Sequence, residues 1–183
     1  MTRRAFVVVG PESAGNRMCT AILVEAGCMG QASVLAPLNH GLPENGQSPV
    51  VLTRSYPHGG DDPDIFALRG DLQALGYQVH VIVVVRDMAA CEASQVQRQH
   101  QRSLTLARLS IQNALGLIFS QLHLAGVPFY VTTYEALANH AGARDAMLEA
   151  LGLPGIGSHV TVEGRRELLE DRNGKHYPMT VGA

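Results

Sequence analysis

The chain predicts an α/β fold: three layers, α/β/α, around a mostly parallel sheet of four to five strands. Three observations carry this. Short β-rich runs such as Ala5–Val9 (AFVVV) and Val79–Val85 (VHVIVVV) are continuously apolar rather than alternating, as strands covered on both faces are. Segments with helical spacing lie between those runs, and the alternation of strand and helix is the signature of a three-layer α/β domain with right-handed crossovers. Finally, the first run stops at a glycine, Gly10, and a second glycine, Gly15, opens the following helix.

Element by element, Ala5–Val9 is the first strand and Gly15–Ala26 the first helix, with Met18, Ala21, Ile22 and Val24–Ala26 along its apolar side. Residues 29 to 49 are rich in Gly, Pro, Asn and His and predict a loop. Val50–Thr53 (VVLT) is a weaker strand, followed by a loop over residues 54 to 64. Ile65, Leu68, Leu72 and Leu75 recur at offsets of three, four and three, which predicts a helix over Ile65–Leu75. After Val79–Val85, Met88 to Leu124 is a long helical region broken near Ser103, with Leu104, Ala107, Leu115, Ile118 and Leu122 as its apolar positions. Pro128–Thr132 (PFYVT) is the fourth strand, and Ala143–Leu151 a last helix closed by Gly152 and Pro154. A length of 183 residues fits one domain over 1–183, with its core at 5–154 and a tail over 155–183 that lacks a strong period.

Composition narrows the function. Hydrophobic residues at 46% and charged residues at 16% describe a compact globule rather than a disordered chain. A formal net charge of −2 supplies no basic field for a nucleic-acid backbone, and 5% aromatics without tryptophan supply no stacking platform for single strands. Nor does any stretch approach the roughly 20 apolar residues that span a bilayer, so neither nucleic acid nor membrane is expected as a partner. The apolar run at the N-terminus is too short for a signal peptide. Three cysteines without a C-x-x-C suggest a reducing, cytoplasmic setting. The histidines show no zinc-binding spacing, and Asp61, Asp62 and Asp64 read as turn and helix-cap residues, so no metal is expected.

The chemistry concentrates at the ends of two strands, where ligands of such sheets bind. Gly10 to Gly15 spells G-x-x-x-x-G, a loop that can offer free amides and the positive end of a helix to an anion, with Ser13 adding a hydroxyl. Sharp turning is expected of Gly10 and close backbone approach to the ligand of Gly15. The next two residues are Asn16 and Arg17, where a magnesium-dependent nucleotide kinase has Lys and then Ser or Thr. An arginine cannot ligate magnesium, and the chain's one lysine is Lys175, so ATP phosphoryl transfer is disfavoured. Sulfuryl transfer carries less charge and needs no metal. The second strand end holds Arg86, with Ser94 eight residues on and about two helical turns into the next helix.

These stretches resemble the PAPS-dependent sulfotransferases, whose fold is P-loop NTPase-like (PAPS is 3′-phosphoadenosine 5′-phosphosulfate). That family has an Arg at a strand end and a Ser eight positions later that bind the nucleotide's 3′-phosphate. Residues 49 to 59 (PVVLTRSYPHG) resemble the segment with the acceptor-activating histidine, and residues 127 to 154 the segment where a strand ends in Tyr-Glu, here Tyr134–Glu135. The resemblance spans residues 5 to 154. It implies PAPS as donor, with the nucleotide bound by Gly10, Pro11, Ser13, Ala14, Gly15, Asn16, Arg17, Arg86 and Ser94. The acceptor would be the hydroxyl or amine of a small molecule or glycan, and homo-oligomers are left open.

Departures are plain. The family loop carries a basic residue where this chain has Glu12, so Arg17 is expected to take over the 5′ contact and to steady developing charge. The family histidine aligns with Tyr56, and His58 follows two residues later. Either could be the general base; His58 is preferred because a neutral imidazole is matched to pH 7 and a phenol with a pKa of about 10 is not. Two alternatives stand beside this reading: a divergent P-loop nucleotide or nucleoside kinase that relies on arginines, and an inactive nucleotide-binding or scaffold protein of the same fold. Arg172 and Lys175 in the tail are further candidates for a phosphate contact.

Overall fold

A computed structural model describes residues 3–30, 49–57 and 61–155. Its sheet has four parallel strands, β1 (Arg3–Pro11), β2 (Val50–Tyr56), β3 (Tyr77–Val85) and β4 (Phe129–Thr133), in the order β2-β1-β3-β4. Six helices complete the described residues: α1 (Asn16–Glu25), α2 (Ile65–Ala74), α3 (Met88–Gln97), α4 (Leu104–Ala125), α5 (Tyr134–Asn139) and α6 (Ala141–Ala150). The fold is the three-layer α/β/α arrangement expected from the sequence.

Why the strand sequences are continuously apolar is visible in how β1 divides its side chains. Ala5, Val7 and Val9 point to one face and pack with Ile65, Leu68 and Leu72 of α2 and Ala114, Ile118 and Leu122 of α4. Phe6 and Val8 point to the other and pack with Cys19, Ile22 and Leu23 of α1, Leu137 of α5, and Met147 and Leu148 of α6. All five β1 side chains are fully buried, as a period-two strand between two helical layers requires. Full burial of a Val, Leu, Ile or Phe side chain contributes about 1.5–3 kcal/mol, so β1, together with its inner neighbour β3, anchors both layers.

Four of the six helices start at a side-chain cap. Asp64 accepts from the Ala67 amide at 2.9 Å to begin α2, which is the capping chemistry expected of the DDPD stretch. Asp87 does the same for Ala90 at the start of α3, Ser103 for Leu106 at α4, and Thr133 for Ala136 at α5. The long helical region is broken as expected at Ser103, and the two pieces are tied by Arg108 and the buried Glu92, whose Nε–Oε1 distance is 2.7 Å.

Two boundaries and one buried stripe differ from the sequence reading. Residues 54–56, expected in a loop, continue β2, because Ser55 and Tyr56 pair in register with Gly10 and Pro11. Tyr134 and Glu135 do not end a strand but open α5, whose first amides are capped by Thr133. The buried stripe of α1 is Cys19, Thr20, Ile22 and Leu23, with Met18 and Val24 only partly buried, because the side facing Phe6 and Val8 includes residues not counted as apolar.

The layers place the site. The segment after β1 leaves towards the layer of α1, α5 and α6, whereas the segment after β3 leads to α4 in the opposite layer. In such sheets ligands sit beyond the carboxyl ends of adjacent strands whose continuations part in this way. Here those two strand ends carry Gly10–Asn16 and Arg86.

Candidate functional site

The loop is closed by its own backbone and by one side chain. The Glu12 amide donates to the Tyr56 carbonyl at 3.2 Å, and the Ala14 amide returns to the Pro11 carbonyl at 3.1 Å. Ser13 sits at φ 68 and Gly15 at φ 101, both left-handed. A non-glycine residue there carries a cost of about 1–2 kcal/mol, and such strain gathers at functional loops. Asn16, expected to meet the ligand, is buried; its Nδ2 donates to the Gly10 carbonyl at 3.1 Å and the Pro11 carbonyl at 3.4 Å. The side chain therefore laces the loop to the start of α1.

Both glycines meet close neighbours within the protein. A Cβ on Gly10 would lie 2.4 Å from the Val84 carbonyl oxygen and 2.5 Å from Asn16 Oδ1, so this glycine makes room for the neighbouring strand and the lacing amide. A Cβ on Gly15 would lie 2.5 Å from Cδ2 of Tyr134. Close approach is the reason for both, but what approaches is protein.

Arg86 reaches over from the β3 tip. Its Nη1 donates to the Ser13 carbonyl at 3.2 Å, and its guanidinium carbon lies 4.4 Å from the centre of the Tyr134 ring. The guanidinium therefore faces the glycine loop. Beneath the loop, α3 presents Cys91, Ser94 and Gln95. The Glu12 carbonyl accepts from Gln95 Nε2 at 2.9 Å and from Cys91 Sγ at 3.2 Å. Burial pushes the Cys91 thiol up to about 12, so it is a hydrogen-bond donor here and not a nucleophile.

One property sets this region apart. Among the described residues, the buried side-chain atoms without a hydrogen-bond partner are Ser13 Oγ, Asn16 Oδ1, Arg86 Nε, Ser94 Oγ and Gln95 Oε1. Every one belongs to the loop, the β3 tip or the α3 face under them. An orphaned buried polar group costs about 1–3 kcal/mol, and native proteins carry few of them. Their concentration at the carboxyl ends of β1 and β3 makes this region the candidate site.

The remaining expected residues divide. Arg17 is exposed on the first turn of α1. Tyr56 is fully buried; its hydroxyl donates to the Pro63 carbonyl at 2.6 Å and lies 3.1 Å from Gln121 Oε1. Burial and the nearby Asp62 and Asp64 carboxylates raise its pKa further, so it stays a protonated core donor and is poorly suited to act as a base. His58, Arg172 and Lys175 lie outside the described residues. Glu12 turns its carboxylate to His100 in the α3–α4 connection, 3.6 Å from Nδ1. Sequence reasoning missed Cys91 and Gln95, although their four-residue spacing, with Ser94 between, places all three towards one side of a helix. It also missed the ring of Tyr134 as a partner of Arg86.

Among the described residues no group of three or more His, Cys, Asp or Glu side chains is placed to hold a metal ion, and no helix is long and apolar enough to cross a membrane. Comparison with models of known protein families and with curated proteins finds no match for the chain.

Proposed function

We propose that the chain is a sulfotransferase-like protein that binds 3′-phosphoadenosine 5′-phosphosulfate across the tips of β1 and β3. The observation that carries this reading is the set of orphaned polar atoms: Ser13, Asn16, Arg86 and Ser94, each chosen from sequence as a nucleotide contact, all hold one. The donor set fits the ligand's chemistry. Two hydroxyls and a guanidinium N–H suit phosphate and sulfonate oxygens, and the amide oxygens of Asn16 and Gln95 suit N–H or O–H groups of a nucleoside. Gly10–Arg17 would hold the 5′ end, with the first amides of α1 contributing donors that precede any intrahelical bond. Arg86 and Ser94 would hold the 3′-phosphate.

In the transfer, the acceptor's oxygen or nitrogen attacks sulfur in line and forms the new S–O or S–N bond. The S–O bond to the 5′-phosphate breaks, its electron pair leaves with adenosine 3′,5′-bisphosphate, and the acceptor's proton passes to a base. His58 is the base of this reading, and Arg17, free to swing in from the first turn of α1, offsets charge on the leaving phosphate. A cytoplasmic setting suits three free, buried thiols.

Calorimetric titration of adenosine 3′,5′-bisphosphate into the wild type and Arg86→Ala tests the site. A loss of affinity of about tenfold or more is expected for a charged hydrogen bond to phosphate; equal affinities would remove the 3′-site. A second reading, nucleotide binding without transfer, is favoured by one observation, the engagement of the Tyr56 hydroxyl in the core. Bisphosphate binding without its release from PAPS in the presence of hydroxyl and amine acceptors supports that reading.

A further inference from the structure

We propose that Tyr134 is a positioning residue for the site: its ring holds the Arg86 guanidinium against the glycine loop, so that the start of α5 sets ligand affinity. The inference rests on the nucleotide reading above for the identity of the ligand, and on geometry alone for the clamp.

The ring of Tyr134 is held between two parts of the site. Towards one side lies Gly15, so close that an added Cβ would fall 2.5 Å from Cδ2 and 3.3 Å from both Cβ and Cγ of the tyrosine. Arg86 lies over the ring with its guanidinium carbon 4.4 Å from the centroid, well inside cation–π range. The same guanidinium donates from Nη1 to the Ser13 carbonyl at 3.2 Å and keeps a buried Nε without a partner among the described residues. Next in sequence, Glu135 Oε1 accepts from the Asp87 amide at 3.1 Å. Two consecutive residues at the start of α5 therefore grip two consecutive residues at the end of β3, and Thr133 anchors them by capping the helix.

The consequence follows from side-chain entropy. A free arginine must give up several rotors when it meets an anion, and that loss is subtracted from affinity. The Tyr134 ring has already fixed them, with the unpartnered Nε part of a preset donor. Stacking uses the face of the ring and not its hydroxyl, so phenylalanine should serve and an aliphatic side chain should not.

The experiment has two arms that fail separately. In the ligand-free protein, Arg86→Ala, Tyr134→Leu and the double variant are compared by thermal unfolding. The clamp requires the double variant to lose less than the two single losses together; additive losses overturn it whatever the ligand result. In the second arm, adenosine 3′,5′-bisphosphate is titrated into the wild type, Tyr134→Phe, Tyr134→Leu and the Arg86→Ala forms with and without Tyr134→Leu. Tyr134→Phe is expected within about twofold of the wild type, Tyr134→Leu weakened about fivefold or more, and that weakening absent once Arg86 is gone. A weakening by Tyr134→Leu that persists in Arg86→Ala, or an equal weakening by Tyr134→Phe, overturns the positioning role. Failure of the wild type to bind the bisphosphate instead overturns the nucleotide reading, with the unfolding arm still judging the clamp. Tyr134→Met replaces Tyr134→Leu in both arms should the latter not fold.

Discussion

Replacing Gly15 by alanine is the most telling single change to the loop, because two independent costs meet at one atom. Gly15 sits at φ 101 with ψ 17, and an L-residue in the left-handed region costs about 1–2 kcal/mol. The new Cβ would also fall 2.5 Å from Tyr134 Cδ2, well under any normal contact. The ring cannot swing aside freely, since its Cβ and Cγ are within 3.3 Å and Arg86 lies over its face. Overpacking of this kind costs about 1–3 kcal/mol, which brings the total to roughly 2–5 kcal/mol. At about 2–4 °C per kcal/mol for a chain of this size, the melting temperature should fall by roughly 10 °C. The two costs separate by thermal unfolding of Gly15→Ala, Tyr134→Ala and the double variant. Without the ring the 2.5 Å clash is gone, leaving the backbone cost of the alanine and a 3.3 Å approach to the Cβ of residue 134, so the double variant should lose less than the single losses predict. A Gly15→Ala protein that melts with the wild type, or strictly additive losses, would refute the contact.

Three further outcomes are expected. Asn16→Asp removes the Nδ2 donor to the Gly10 and Pro11 carbonyls and sets a carboxylate beside them; it should cost about 1–3 kcal/mol by denaturant unfolding and abolish bisphosphate binding. Tyr56→Phe should cost about 0.5–1.5 kcal/mol and leave ligand affinity unchanged, since the hydroxyl serves the Pro63 carbonyl and Gln121; a marked loss of affinity would return Tyr56 to the site. Burial pushes the Cys19 thiol from 9.0 up to about 12, so the unfolded chain releases this proton first as pH rises. Its contribution to stability is whole below pH 9 and is lost between pH 9 and 12 at about 1.4 kcal/mol per pH unit, and Cys19→Ala should flatten that slope in denaturant titrations.

How far the sequence carries can be judged from particular residues. Strand β1 was legible because burial on both faces leaves no alternation to misread: Val7 and Val8 face opposite layers and are equally apolar; β4, read from the same kind of run, is largely exposed. Ser103 was legible as a break because a cap is local chemistry, its hydroxyl meeting an amide three residues on. The stripe of α1 was less so, because Cys19 and Thr20 face the sheet without the hydropathy that marks a core position. Residues 54–56 were read as loop because Arg54 and Ser55 look polar, while the sheet partner that makes them strand lies some 45 residues away in β1.

The site divides along the same line. Arg86 and Ser94 could be found from spacing, because a strand end and a helix starting just after it fix their relation within one short segment. Tyr134, Gln95 and Asn16 owe their roles to contacts that spacing does not encode: a ring against a distant guanidinium, an amide under a loop carbonyl, an amide turned back on its own loop. The glycines make the point most sharply. A G-x-x-x-x-G pattern reports that something must come close, and sequence offers a ligand as the natural visitor. Here the Val84 carbonyl and the Tyr134 ring are the visitors. The consequence for the proposed recognition is that the loop is already braced, with Asn16 lacing it from within, Arg86 from the tip of β3 and Tyr134 from the start of α5. A loop braced in that way loses little further freedom on binding, so its affinity should depend on the braces as much as on the atoms that touch the ligand.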